Sequence, residues 1–169
     1  ARDTDDGIFW IDYGLSRYVV ENLYLAWRPD KLFPNSTLVH AKWDNSNSPV
    51  KDRFFLTKNP QYKLSIRSMD QSTAEKKNSY KKTPIWLLLS RHITDVKDFE
   101  DNSVYLALMV FKNGRRIYGK TLSKPIIDGI RINSPHYLVK LTVIDCSEYS
   151  IVITQYENRG KSSYTLTAY

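Results

Sequence analysis

Short runs in which apolar and polar side chains alternate one by one dominate the chain, and they leave it little choice of fold. Tyr62, Leu64 and Ile66 alternate with Lys63, Ser65 and Arg67. Tyr137, Val139, Leu141 and Val143 alternate in the same way, as do Tyr149, Ile151 and Ile153, and Tyr164 with Leu166. Successive side chains of a strand point to opposite faces, so each run buries one face and wets the other. Residues 85–89 and 104–111 are apolar throughout and read as central strands covered on both faces. Turn signals separate the runs at Asn113-Gly114, Asp128-Gly129, Ser134-Pro135 and Arg159-Gly160. Asn-Gly supplies the positive φ angles of a type I′ turn, which predicts a hairpin over residues 111–118. Counting runs predicts an all-β fold: an antiparallel sandwich of roughly eight strands after residue 36.

The first thirty residues have a different grain. Asp12 is placed to cap a short helix carrying Leu15, Tyr18 and Val19 on one face, between strand-like residues 8–11 and 23–27. Arg28-Pro29-Asp30 then breaks the chain, which puts a boundary near residue 30. Residues 68–83 are polar, rich in Lys and Ser and without periodicity, and so read as a long loop between strands.

The hydrophobic fraction of 41% is enough for a packed core. No apolar run approaches the roughly 20 residues of a membrane span, and no leader-like start is visible. The opening Ala1-Arg2-Asp3 reads like a cut made inside a longer protein. The single cysteine, Cys146, cannot form an internal disulfide, so the fold rests on packing and suits a reducing, cytoplasmic setting. A net charge of +7 points to anionic partners: acidic protein, anionic lipid or nucleic acid.

Catalysis finds little support. Cys146 is flanked by Asp145 and Glu148, and negative neighbours raise a thiol pKa, opposite to what a nucleophile needs. His40, His92 and His136 follow no metal-ligand spacing and read as structural or surface groups. No glycine-rich phosphate loop is present. The chain is therefore not expected to be an enzyme by itself. Trp10, Trp27, Trp43 and Trp86 raise the idea of a carbohydrate-binding sandwich, but most lie in apolar runs and read as packing residues. Nucleic-acid binding would rest on charge alone and is not expected.

Two charged groups stand out as candidate sites. Lys76, Lys77, Lys81 and Lys82 in the long loop, with Arg115 and Arg116 beyond the Asn-Gly turn, make a basic face for an anionic membrane or an acidic protein. Asp95, Asp98, Glu100 and Asp101 form an acidic cluster that could hold calcium only with carboxylates from a second loop, for which Asp128 and Asp145 are the candidates. A calcium-dependent phospholipid sensor is the alternative function on that basis.

The sequence also resembles a known family. Asp6-Gly7-Ile8-Phe9-Trp10-Ile11 is similar to the segment that closes the protease core of calpains. Asn59-Pro60-Gln61-Tyr62 resembles a signature early in the calpain C2-like domain (domain III), and residues 149–169 resemble its final pair of strands. Residues 88–95 and 127–138 resemble the atypical, PalB-like branch of the family. The resemblance implies that residues 1–30 are the tail of a cysteine-protease core and 31–169 a C2-like β-sandwich. It implies that the catalytic Cys, His and Asn lie upstream, with none of them in this chain. It further implies a domain that braces the protease core of the same chain and recruits it to a membrane or protein partner, including endosomal sorting machinery, on endosomal membranes. Conventional calpains carry a strongly acidic loop after the Asn-Pro-Gln-Tyr strand. The lysines here argue against calcium at that position, and no cofactor is expected.

Overall fold

A computed structural model describes residues 10–22, 26–44, 46, 55–67, 82–94, 96, 104–118, 124–132, 134–144, 147–156 and 160–169. The chain divides into two compact units, residues 1–32 and 33–169.

The first unit holds two helices. In α1 (Tyr13–Val19) the Asp12 carboxylate accepts the Gly14 and Leu15 N–H groups, the capping role its sequence position predicts. The apolar face of α1 is exposed, with Leu15 57% and Tyr18 74% accessible. A single turn, α2 (Pro29–Leu32), starts on proline, whose missing N–H costs a helix nothing at that position. The described parts of the two flanking segments, residues 10–11 and 26–27, are irregular rather than strand.

The second unit is an all-β sandwich. Its strands are β1 (Thr37–Asp44), β2 (Gln61–Ser65), β3 (Lys82–Arg91), β4 (Tyr105–Lys112), β5 (Ile127–Asp128), β6 (His136–Ile144), β7 (Glu148–Tyr156) and β8 (Lys161–Ala168). One antiparallel sheet has the order β1-β8-β3-β6 and the other β2-β7-β4-β5. The alternating runs supply the inner faces. Leu87, Leu89, Val139, Val143, Tyr164 and Leu166 of the first sheet meet Leu106, Leu108, Val110, Tyr149, Ile151 and Ile153 of the second. Each fully buried aliphatic side chain contributes about 1.5–3 kcal/mol.

The two fully apolar runs part company. β4 is buried from Leu106 to Phe111 because a second cluster covers its outer face: Leu56, Met109, Phe111 and Val152, with Ile117 packed on top. Leu56 belongs to a 3₁₀ turn (Leu56–Lys58) lying against that sheet. β3 alternates instead. Ile85, Leu87 and Leu89 are buried, while Trp86 and Leu88 on the outer face are only half covered. The Phe33 ring shields Trp86 at 5.1 Å and itself lies 5.9 Å from the Tyr169 ring, and the Lys140 ammonium sits 4.1 Å from the Trp86 ring centre.

The predicted hairpin over residues 111–118 forms its turn but not its return strand. Asn113 and Gly114 both have positive φ, 91° and 56°. Residues 115–118, however, cross the outer face of the second sheet. The free edge of β4 is taken by β5 and by a bridge between Leu106 and Ile132. Asp128-Gly129, read as a turn, likewise ends this short strand, and Gly129 lies where an added Cβ would fall 2.1 Å from the Leu108 carbonyl oxygen.

A hydrogen bond of 2.7 Å between the Tyr62 and Tyr164 hydroxyls ties β2 of one sheet to β8 of the other. Burial and this bond raise the Tyr164 pKa above its ordinary value of 10.0. Below about pH 10 both folded and unfolded chains keep that proton, and the group adds no pH dependence. At higher pH the unfolded chain releases a proton the folded chain holds, so stability falls. In denaturant titrations from pH 8 to 11.5, Tyr164→Phe is expected to be less stable at pH 8. It should also lose up to about 1.4 kcal/mol per pH unit of the alkaline decline. An unchanged decline would show that this hydroxyl titrates normally.

Candidate functional site

The Asn59-Pro60-Gln61-Tyr62 run is where the site is built. Asn59 is buried and donates from Nδ2 to the Ile153 carbonyl at 2.8 Å. Pro60 accepts the Ile153 N–H at 3.0 Å, starting the β2–β7 ladder. Gln61 uses both ends of its amide. Nε2 donates to the Leu56 and Ile117 carbonyls at 2.9 and 3.0 Å, and Oε1 accepts the Ile117 N–H at 2.8 Å. One short segment thus fixes the 3₁₀ turn, β7, the crossing segment 115–118 and, through Tyr62, the opposite sheet.

That anchoring sets two arginines in place. The Arg115 carbonyl accepts the Ser150 hydroxyl at 2.6 Å, and the Arg116 guanidinium donates to the Thr57 carbonyl at 3.1 Å. Its guanidinium carbon also lies 5.9 Å from the Tyr118 ring centre. Both side chains are exposed, and the Arg115 guanidinium has no hydrogen-bond or ion-pair partner among the described residues. Lys63, pointing to the same face, pairs with Glu148 at 2.6 Å. Gln61, Lys63, Gly114, Arg115, Arg116 and Ser150 line a cavity of about 170 Å³. Gly114 is required there: besides its positive φ, a Cβ would come within 2.7 Å of the Glu148 Cβ.

Of the basic residues singled out from the sequence, Lys82 is exposed at the start of β3, opposite Ile144 at the end of β6. The β6–β7 connection begins at Ile144 and ends at Glu148, whose carbonyl accepts the Asn113 N–H at 3.0 Å. Lys82 and the Asn113-Gly114 turn therefore share one end of the sandwich, and Arg115 and Arg116 lead from that turn onto the outer face beside Ser150 and Thr57. The long loop's anchors lie there too, since β2 ends with Ser65 opposite Glu148. Lys76, Lys77 and Lys81 lie outside the described residues, as do Asp95, Asp98, Glu100, Asp101, Asp145 and Cys146. Among the described residues no three His, Cys, Asp or Glu side chains come together to hold a metal ion. No described helix is long and apolar enough to cross a membrane.

The histidines sit on the outer face of the first sheet as hydrogen-bonded groups. His40 Nδ1 and His92 Nε2 each lie 2.7 Å from the Thr165 hydroxyl, and His136 Nδ1 lies 3.0 Å from that of Ser90. The tryptophans divide. Trp43 is a core residue and Trp86 is half covered, while Trp10 and Trp27 are 98% and 50% exposed. Lys63, Glu148, Ser150 and Gln61 were missed as site residues. Their outward place in alternating strands was legible, but convergence with a segment 35 to 56 positions away in sequence was not.

Gly114→Ala is expected to destabilise the chain by about 1–3 kcal/mol through left-handed strain, a cost the steric contact adds to. Urea titration measures this, and Arg115→Ala, which strains nothing, serves as the neutral control.

No protein-family model matches the chain. Human calpain-7 is 40% identical over 172 residues, covering 100% of this chain and 20% of its own length. The calpain-like protease palB of Emericella nidulans is 28% identical, covering 96% of the chain and 18% of palB. A solved structure, the pre-peptidase C-terminal domain of a collagenase from Bacillus anthracis, overlaps 66% of this chain at 11% identity and a TM-score of 0.35, too loosely to support an argument. The chain spans about a fifth of the length of the curated calpains it matches. Identity that runs the whole length of a two-sheet antiparallel sandwich places this chain, as a segment, in the calpain family.

Proposed function

We propose that this chain is the non-catalytic C2-like segment of a calpain-type cysteine endopeptidase, which braces the protease core and recruits the enzyme to an anionic membrane surface. The observation that carries this reading is the convergence at one end of the sandwich. Lys82, both anchors of the lysine-rich loop and the Asn113-Gly114 turn from which Arg115 and Arg116 extend lie around the β6–β7 connection. In the same reading, α1 and its exposed apolar side chains belong to the tail of the core, where the preceding protease segment covers them. Calcium has no part in this docking, which is electrostatic. An acidic protein, including a component of endosomal sorting machinery, is the alternative docking partner at the same surface.

Each basic residue close to an anionic surface is worth about 1 kcal/mol, so reversing four lysines should weaken membrane partition by at least about a thousandfold. Co-sedimentation with phosphatidylserine vesicles, in chelator and at low salt, is expected for the chain. It should fail at high salt and in a Lys76, Lys77, Lys81, Lys82→Glu variant. A requirement for calcium would transfer the role to Asp95, Asp98, Glu100 and Asp101. Failure to sediment under every condition would end the membrane reading.

A further inference from the structure

The cavity beside Arg115 is lined by residues of β2, whose second edge faces away from β7. Among the described residues β2 pairs with β7 alone. The bonds from the Ile153 N–H to Pro60 and from the Ile66 N–H to Ser147 set the alternation of the ladder. By that alternation Tyr62 and Leu64 exchange their backbone bonds with β7, while Gln61, Lys63 and Ser65 turn their N–H and C=O groups to the open side. Native folds seldom leave such an edge unused or unguarded.

We infer that the β2 edge and the Lys63–Arg115–Arg116 cavity together form a docking site for a phosphorylated segment of another protein, added as an extended strand. The inference rests on the basic end being a docking surface, and it supplies one partner chemistry for it. An incoming strand pairs with the backbone groups of Gln61, Lys63 and Ser65 that face away from β7. The side chain it sets opposite Lys63 lies on the outer face, about 5 Å away at its Cβ, beside the cavity. That side chain is a phosphomonoester on charge grounds. Three cations border the cavity and Glu148 offsets one, leaving +2 by count (three less one), the match for a group of about −1.5 to −2 at neutral pH. A volume of about 170 Å³ takes a phosphate together with water, each water claiming about 30 Å³. The arginine forks offer paired N–H donors to adjacent phosphate oxygens. Lys63 changes partner from Glu148 to the phosphate, so Glu148 is a built-in competitor.

The test is a ¹H–¹⁵N NMR titration of the whole chain with inorganic phosphate. It is followed by a nine-residue peptide of alternating Thr and Val with phosphoserine at its centre, and by the same peptide unphosphorylated. Phosphate is expected to shift Lys63, Gly114, Arg115 and Arg116 saturably, and the phosphopeptide to bind tighter and shift Gln61 and Ser65 as well. Arg115→Gln should weaken both by about tenfold, the worth of one charge-assisted bond. Glu148→Gln should tighten both by about threefold, since an exposed ion pair no longer competes. Both substitutions are at exposed positions and leave the backbone unstrained. Shifts matched by equal ionic strength of chloride overturn the site. A phosphopeptide no tighter than free phosphate overturns the strand docking. Vesicles with phosphorylated headgroups that bind at these residues while the phosphopeptide does not make the partner a lipid and overturn the assignment. Vesicle binding that survives Arg115→Gln with a flat phosphate titration leaves the basic end standing and removes only this site. Absence of vesicle binding under every condition with the phosphate shifts intact does the opposite.

Discussion

The structure depends on how one four-residue run satisfies its own polar groups. Asn59 and Gln61 are amides held against an apolar sheet, where an amide without partners costs roughly 1–3 kcal/mol. Asn59 Nδ2 and Gln61 Nε2 and Oε1 are all bonded, and the partners belong to β7, to the 3₁₀ turn and to the crossing segment. Those bonds hold Leu56 and Ile117 over Met109, Phe111 and Val152, which closes the second apolar cluster. Tyr62 extends the same anchoring through the sandwich to Tyr164. Without this run the outer face of β4 would be an exposed apolar stripe, and Arg115 and Arg116 would have no fixed position.

The fold and the placement of the arginines are therefore produced by the same bonds. The backbone of residues 115–117 is pinned by Ser150 and Gln61, while the arginine side chains remain exposed. A rigid main chain under exposed guanidinium groups lowers the ordering cost of binding an anion. Membership of the calpain family gives this arrangement a setting. The chain spans about a fifth of the length of those relatives. The histidines of the other sheet are bonded to hydroxyl groups.

Much of the fold was legible because strand periodicity is a local property. The alternating runs at 62–66, 137–143, 149–153 and 164–166 marked their inward residues correctly, and those residues form the core. The Asp12 cap was legible for the same reason, since a capping carboxylate reaches only two or three residues ahead. The return strand after Asn113-Gly114 was not. Turn chemistry describes the turn and says nothing about which edge is vacant when the chain comes back. Here residues 127–128 had taken that edge.

By itself the sequence determined the all-β class, the approximate strand count, the inward faces, the caps and turns, and the basic character of the chain, because each follows from neighbours within a few positions. Its Asn-Pro-Gln-Tyr run could be recognised from the family but not explained. Only the tertiary structure decided what that run is for, which strands become edges, why Gly114 must be glycine, and that Lys63 and Glu148 join Arg115 and Arg116 around one cavity. Those outcomes depend on pairings between β2 and β7, about ninety residues apart. Local side-chain chemistry cannot encode such pairings until the two sheets have closed on a common core.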